Sequence, residues 1–494
     1  MWRSNEPFSL VEPLAIGKVG SDDCAARAKS WSPNALSRTL IVTKQHPALC
    51  SSSAICSHRH FRPPRTLAAM RPLLAVALSS LLAAPCIAAQ APNAAPQPTR
   101  DAYLTRARRL MREAPFIDTH NDLPEMSRLR SGFDLERYDP DKGLPDIDTD
   151  LPRAVKGLVG GQFWAAYVPS AYEGKGAGTM VLEEIDMIHR MVERSPRLRY
   201  ATTADDIVRI HRTGKIASLI GIEGGHAIDN SLGMLRDVYR LGVRYMTLTH
   251  GSTTAWADAS TDAPRHGGLS PFGEDVVKEM NRLGMMVDIS HVSDGVMSDV
   301  ARLSEAPLFF SHSSVRALAD HPRNVPDSIL ALVKKKDGVV MVNAYPAFVD
   351  STGARFMRDV FEVERKLRVQ YAGEPAKADS AFGAYINSVP PTTLERYVDH
   401  IDYIVKFIGV DHVGIGADLG AIEQHPTGLE DISKFPNLVA ELLRRGYSDA
   451  DAKKIMGGNL LRVMRKTEAV ARRLQKTQKP GVARLTEKVA SDAP

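Results

Sequence analysis

Short apolar runs alternate with amphipathic stretches along most of this chain, and the alternation predicts strands and helices in turn. Runs rich in Val, Ile, Met and Phe are typical of strands that are buried on both faces. They fall at 115–119, 162–167, 216–222, 243–248, 285–289, 307–311, 338–343 and 412–416. Stretches with helical periodicity lie between them, at 178–193, 204–212, 231–240, 273–283, 294–303, 326–335 and 393–408. Eight strands that alternate with helices predict a (β/α)8 barrel of the TIM type, in a single catalytic domain.

Two segments interrupt this alternation. Residues 346–392 form an insert after the seventh predicted strand, and its apolar residues recur at helical spacing, at Phe356, Val360, Val363 and Leu367. The spacing predicts an amphipathic helix. This helix covers the barrel or forms a dimer contact; the alternative is a lid over an active site. The polar tail at 473–494 is charged and poor in apolar residues, so we expect it to be disordered or loosely helical.

The first ninety or so residues differ from the rest. Residues 1–69 show no sustained periodicity, and we interpret them as a non-native or disordered extension. Residues 70–91 combine a positive start, an apolar run and small residues, which is typical of a signal peptide. This predicts export to the periplasm or secretion, with an uncleaved N-terminal membrane anchor as the alternative. A linker and a leading helix at 92–110 then precede the barrel at 111–472.

Cysteine content and net charge both differ between the leader, residues 1–91, and the rest of the chain. The four cysteines are Cys24, Cys50, Cys56 and Cys86, so the mature chain would lack disulfides, and His and carboxylate groups would have to hold any metal. The net charge of +5 comes from the leader, which has ten Lys and Arg against four Asp and Glu. Since the mature chain is nearly neutral, we expect no nucleic-acid partner and no strong membrane attachment of that part.

Polar side chains follow the predicted strands at their carboxyl ends. His120 and Asp122 come directly after the first strand, and side chains two residues apart on an extended backbone point to the same face. Other strand ends carry Glu223, His250, His291, His312 and Asp418. In an α/β barrel these ends meet at one mouth. Burying so many unpaired polar groups would be costly, and bound metal ions would remove that cost.

The number of these groups suits two zinc ions. The terminal ligands would be His120, Asp122, His291 and His312. Glu223 has two carboxylate oxygens and can bridge the two ions. Two ions about 3.5–4 Å apart can hold a hydroxide between them and polarise a carbonyl group. Asp418 is then placed to take the proton of that water and pass it to a leaving amine.

Seven motifs occur in one order along the chain. They are Phe116-Ile-Asp-Thr-His-Asn-Asp122, Gly221-Ile-Glu-Gly-Gly-His226, Met246-Thr-Leu-Thr-His250, Asp288-Ile-Ser-His291, Ser311-His-Ser-Ser314, Arg323-Asn-Val-Pro326 and Gly457-Gly-Asn-Leu-Leu461. Together they resemble the membrane (renal) dipeptidase family, the binuclear zinc dipeptidases of peptidase family M19. The resemblance covers roughly residues 110–465.

The resemblance implies a role for each matching position. His120 and Asp122 would bind one zinc, His291 and His312 the other, with Glu223 bridging and Asp418 as the catalytic carboxylate. His250 would act in catalysis and contact the substrate at the tetrahedral stage. Arg323 would receive the C-terminal carboxylate of the substrate. The implied reaction is hydrolysis of free dipeptides, including those with a C-terminal D-residue, by a chain that forms a homodimer.

Two other functions stay open at this point. One is a metal-dependent amidohydrolase, deaminase or lactonase that acts on another carboxylate-bearing small molecule. The other is a non-enzymatic binding protein on an inactivated barrel, which would lack a ligand or Asp418. The family's usual Gly-Ser-Asp-Phe-Asp-Gly is Gly416-Ala-Asp-Leu-Gly-Ala421 here. Asp418 is retained but a second acidic residue is lost, which leaves the substrate preference near this loop open.

Overall fold

The structure is a computed structural model that describes residues 99–358, 360–386, 388–420 and 424–485. The predicted extension (1–69), the predicted signal peptide (70–91), most of the linker and the last nine residues of the tail lie outside the described residues. Within the described ranges, no helix is both long enough and apolar enough to cross a membrane.

Parallel strands form the centre of the molecule. They are β1 Phe116–Asp118, β2 Val159–Tyr167, β3 Leu198–Tyr200, β4 Ile216–Glu223, β5 Val243–Thr247, β6 Met286–Asp288, β7 Phe309–Phe310, β8 Val339–Val342 and β9 Val413–Ile415. Each strand from β4 to β9 pairs with the next, β9 pairs with β1, and β2 pairs with both β1 and β4. Eight strands therefore close a barrel, and the predicted (β/α)8 fold is confirmed. The short β3, which pairs with β4, was not predicted.

Helices surround the barrel. They are α1 Arg100–Glu113, α2 Leu123–Ser131, α3 Leu151–Lys156, α4 Ala177–Arg194, α5 Ala204–His211, α6 Leu232–Arg240, α7 Pro271–Leu283, α8 Asp294–Leu303, α9 Asp327–Lys335, α10 Pro346–Val349, α11 Ser351–Arg358, α12 Val360–Gln370, α13 Pro375–Ile386, α14 Leu394–Ile408, α15 Phe435–Arg444, α16 Asp449–Lys453 and α17 Asn459–Leu474. Side-chain caps fix several starts: Thr203, Ser270, Ser293 and Thr393 each accept a backbone N–H of the first turn.

A layer of large side chains fills the barrel interior beneath its mouth. The Tyr245 ring on β5 lies 5.2 Å from that of Phe163 on β2 and 5.6 Å from that of Phe309 on β7. These strands are not neighbours, so the three rings meet inside the barrel. Gly221 on β4 makes room for Tyr245, since a Cβ there would lie 2.0 Å from the ring. The site above this layer therefore has a packed apolar floor.

The insert and the described part of the tail both pack against the rest of the molecule. The insert contains α10 to α13 where it is described, and the residues of the predicted amphipathic helix fall in α11 and α12. In the tail, which was expected to be disordered or loosely helical, residues 475–485 make defined contacts. Gly481 donates its N–H to Glu279 and accepts from Arg236, and Leu485 packs against the core. Backbone and side-chain hydrogen bonds to α6 and α7 thus hold a segment that has few apolar residues.

Candidate metal centre and active site

Five predicted ligand residues meet at the carboxyl-terminal mouth of the barrel. His120 and Asp122 follow β1, Glu223 ends β4, His291 follows β6 and His312 follows β7. All five are buried. Their nitrogen and oxygen atoms form overlapping groups whose members lie within 4.8 Å of one another. Strand-end placement in the sequence therefore becomes a compact cluster in space.

Glu223 lies between two sets of predicted ligands, His120 with Asp122 and His291 with His312. Its Oε2 atom is 3.4 Å from His120 Nε2, and that nitrogen is also 3.4 Å from Asp122 Oδ1. Its Oε1 atom is 3.0 Å from His291 Nε2 and 3.2 Å from His312 Nε2. One carboxylate oxygen thus faces each set, which is the arrangement that a bridging carboxylate requires.

A hydrogen-bond relay through Tyr245 determines which nitrogen of His120 carries a proton. The Tyr245 hydroxyl donates to the carbonyl oxygen of Thr119 at 3.0 Å and lies 2.9 Å from His120 Nδ1. Because its one proton is used, the hydroxyl must accept from Nδ1–H. The lone pair of His120 is then at Nε2, toward Asp122 and Glu223, as metal ligation needs.

His312 is oriented by a similar relay. The Ser311 hydroxyl donates to Asp288 Oδ2 at 2.5 Å, so it accepts from His312 Nδ1–H, which lies 2.7 Å away. Nε2 of His312 is thereby left as a base facing Glu223. Burial lowers the pKa of His312 and, with Arg323 adding to the effect, holds the pKa of His291 well below its usual range. Both imidazoles are therefore neutral at neutral pH and can coordinate a cation.

Unsatisfied polar atoms test whether this cluster fits a metal. His120 Nε2 and Asp122 Oδ1 are buried and make no hydrogen bond among the described residues. Burial opposes a charged His120, yet Tyr245, Glu223 and Asp122 raise its pKa well above the usual range. The surroundings of Nε2 thus favour positive charge, which a divalent cation supplies together with the missing partners.

Two site residues occupy a strained backbone region. The φ angle is 66° at His291 and 64° at Asp418. Residues with a side chain rarely adopt this left-handed conformation, and each instance costs of order 1–3 kcal/mol. Such strain persists only where neighbouring contacts fix the backbone, and it is concentrated at functional sites.

Asp418 follows β9 and lies beside the ligand cluster. Its Oδ1 is 3.6 Å from His120 Nε2, and its Oδ2 accepts from Asn343 Nδ2 at 2.8 Å. Asp148 holds the segment that comes next, because its carboxylate accepts the N–H of Gly420 at 2.8 Å and pairs with His425 at 2.5 Å. The partly exposed carboxylate of Asp418 is thus fixed in direction and reachable from the mouth.

His250 and Arg323 both lie beside the histidine pair His291 and His312. His250 Nε2 is 3.9 Å from Glu223 Oε1, and its ring packs edge-on against Tyr167. Arg323 is buried, and its guanidinium donates to the His312 carbonyl at 3.0 Å and to Ser313 Oγ at 3.2 Å. The structure therefore brings all eight predicted site residues to one mouth, while the role of each stays a prediction.

Arg323 has a free donor edge. Its Nε is buried and makes no hydrogen bond among the described residues. The nearby acids in sequence have other partners, since Asp320 pairs with Arg358 and Asp327 accepts from Tyr403. Burial lowers the pKa of Arg323 to about 10, which still leaves it charged at neutral pH. A buried cation with an unused edge is suited to an incoming carboxylate.

Sequence reasoning missed the residues that support these groups. Tyr245, Asp288 and Asn343 were not assigned a role, although the first two lie within or beside quoted motifs. The strand-end rule would have found Asn343, because it ends the predicted strand 338–343. Applied to strand 162–167, the same rule would have found Tyr167.

Comparisons with known proteins agree with this site. Residues 104–478 match a family model described as membrane dipeptidase (peptidase family M19). The chain is 40% identical over 392 residues to dipeptidase verJ of Clonostachys rogersoniana, covering 76% of this chain and 90% of that protein. It is also 40% identical over 367 residues to dipeptidase 3 of Mus musculus, covering 73% of this chain and 66% of the mouse protein.

A solved structure agrees as well. The probable dipeptidase PvdM from Pseudomonas aeruginosa superimposes with a TM-score of 0.66 at 28% identity, covering 75% of this chain and 99% of that one.

Proposed function

Because this chain belongs to the membrane dipeptidase family, peptidase family M19, and is a metal-dependent dipeptidase, we propose that it uses two zinc ions to hydrolyse free dipeptides. We include dipeptides with a C-terminal D-residue, which the sequence resemblance implies. The observation that carries the two-ion proposal is Glu223, whose Oε2 faces His120 and whose Oε1 faces His291 and His312.

The ligand sets follow from that geometry. His120 and Asp122 would hold one ion, and His291 and His312 the other, with Glu223 shared. The donors are imidazole nitrogen and carboxylate oxygen, which suit zinc in a catalytic site that keeps open positions. When bound, the two ions would act as Lewis acids toward the scissile carbonyl and lower the pKa of the attacking water.

The chain's own residues move the protons and bind the substrate. Asp418 Oδ1 takes a proton from the attacking water and returns it to the leaving amine nitrogen, while Asn343 holds Oδ2. Desolvation lowers the pKa of His250, so its imidazole is neutral and donates an N–H to the carbonyl oxygen as negative charge develops. Arg323 receives the C-terminal carboxylate, which fixes the distance to the scissile bond and favours dipeptides over longer chains.

Metal analysis and a small substrate panel test this function together. Protein purified without chelator should contain close to two zinc ions per chain. It should hydrolyse L,L and L,D dipeptides, and the C-terminal amide of the same dipeptide should lose much of kcat/KM.

Asp418→Asn is the matched inactive variant for this panel. It should lower turnover by about 10²–10⁴-fold and leave the zinc content unchanged. An active preparation with one ion per chain contradicts the two-ion site. Loss of zinc from Asp418→Asn would make Asp418 a ligand instead, and activity confined to lactones or other amides would replace the dipeptide substrate.

We also propose that the enzyme is exported after cleavage near residue 91. The support is the signal-peptide pattern at 70–91 and the restriction of all four cysteines to the leader. N-terminal sequencing of the mature protein should begin close to residue 92. A mature chain that retains residues 70–91 would instead favour the N-terminal anchor.

A further inference from the structure

The insert contacts the guanidinium group of Arg323 directly. The guanidinium carbon lies 5.1 Å from the centroid of the Phe348 ring. Phe348 belongs to α10, the first helix of the insert, and is itself only half-buried. Arg323 thus has an aromatic ring of the insert over the flat face of its guanidinium group.

Several contacts fix Phe348 in this position. Asn324, the neighbour of Arg323, donates from Nδ2 to the Phe348 carbonyl oxygen at 2.9 Å. The rings of His321 and Tyr345 lie 4.8 Å and 5.1 Å from the Phe348 ring. His321 also accepts the backbone N–H of Arg323 at Nδ1. The loop that carries Arg323 and the start of the insert therefore form one packed unit.

These contacts restrict the directions in which Arg323 can donate hydrogen bonds. Its Nη atoms are engaged by the His312 carbonyl and Ser313 Oγ, and Phe348 covers one face of the plane. Each Nη atom uses one of its two N–H groups in these bonds, so the buried Nε–H and one N–H on each Nη remain as donors. A ring over a guanidinium attracts the cation and excludes water from it, and hydrogen bonds to a carboxylate are stronger where water is excluded.

We propose that Phe348 is a positioning residue for substrate recognition, which holds Arg323 so that its free edge receives the C-terminal carboxylate of the dipeptide. The inference rests on the proposed function of Arg323 and extends it to the insert. Through α10, the insert takes part in selecting substrates with a free carboxylate. If Phe348 were only a packing residue, replacing it would change the stability of the insert but not the preference for a carboxylate.

Paired substrates separate these two roles. Phe348→Leu keeps an apolar side chain and removes the ring, and Phe348→Tyr restores an aromatic ring. For the free dipeptide, Phe348→Leu should raise KM by about 3- to 30-fold, the range expected for loss of a desolvated cation–π contact. Its kcat should change little, KM for the C-terminal amide should change less than about 2-fold, and Phe348→Tyr should recover most of the loss.

Phe356 provides the matched control within the same insert. Its ring stacks on that of Tyr385 at 4.4 Å, with an interplanar angle of 18°. Phe356→Leu therefore disturbs insert packing without removing the ring over Arg323. It should lower thermal stability while the ratio of kcat/KM for acid and amide stays at the wild-type value.

Three results would overturn the inference. They are equal changes in KM for acid and amide in Phe348→Leu, the same acid-specific loss in Phe356→Leu, or no recovery in Phe348→Tyr. A wild-type enzyme that hydrolyses acid and amide equally well contradicts carboxylate recognition by Arg323, and with it this inference. An acid-over-amide preference in Phe348→Leu equal to that of the wild type contradicts the inference and leaves the proposed function intact.

Discussion

Single residues behind the proposed metal ligands determine which imidazole nitrogen is free to bind a metal. His120 and His312 each need their lone pair at Nε2, and in both cases a hydroxyl whose own proton is already donated sets the tautomer. The placement of the proposed ligands at one mouth was predictable because each follows an apolar strand. The hydroxyls were not, because their role depends on which strands become neighbours and in what register.

Removing the Tyr245 hydroxyl tests this relay. In Tyr245→Phe, His120 Nδ1 loses its acceptor, so the imidazole no longer prefers the tautomer with its lone pair at Nε2. We expect zinc affinity to fall by about 10- to 100-fold, as for other supports behind metal ligands. Competition with a chromogenic chelator measures it.

Tyr397→Phe is the control for that measurement. Its buried hydroxyl donates to the Val342 carbonyl at 2.8 Å. Losing it costs a buried hydrogen bond, about 1 kcal/mol of stability, and should leave zinc affinity unchanged. Equal affinity losses in the two variants would mean that the effect of Tyr245→Phe is general destabilisation.

At the scale of elements, the eight barrel strands could be predicted because both faces of each are buried and their apolar runs are continuous. The helices α2 and α17, which lie next to proline or glycine, were not predicted. Pro124 and Gly457-Gly458 are residues at which a helix usually ends. Pro124 nevertheless lies in the first turn of α2, where proline is tolerated, and the glycines directly precede α17. The three-residue β3 forms because β4 offers it a partner, which no local pattern records.

His400 on α14 connects the segment after β7 with α10. Its Nδ1 accepts the N–H of Val315 at 2.9 Å, and its Nε2–H donates to the Val349 carbonyl of α10 at 2.8 Å. Burial lowers its pKa to about 4, against 6.5 for an exposed histidine. Between these values the unfolded chain binds a proton that the folded chain does not. The contribution of neutral His400 to the free energy of unfolding is therefore fully present above about pH 6.5 and is lost as pH falls toward 4.

Replacing His400 should flatten this acid dependence. The difference in pKa corresponds to about 3 kcal/mol, so the wild type should lose roughly that much more unfolding free energy between pH 7 and pH 4 than His400→Gln. Urea unfolding at a series of pH values measures the slopes. An unchanged slope in His400→Gln would show that His400 is protonated in the folded state.

At the scale of the whole molecule, the site exists only because the barrel closes. β1 carries His120 and Asp122, β9 carries Asp418, and the two strands pair directly with each other. The apolar floor around Tyr245 draws rings from β2, β5 and β7. The sequence pattern indicated which side chains would reach the mouth, but the distances among them depend on the tilt and packing of all eight strands.

This closure also bears on where the enzyme acquires its metal. The residues of the cluster follow or end β1, β4, β6 and β7. The barrel that brings them together closes only with β9, the last of these strands to leave the ribosome. During synthesis, single imidazoles of the chain can contact an ion, but the complete set of ligands is not yet assembled. Ion choice is therefore made by the finished fold, in the compartment where folding ends. For an exported chain, the metal content of that compartment, rather than cytoplasmic delivery, decides which ion the enzyme carries.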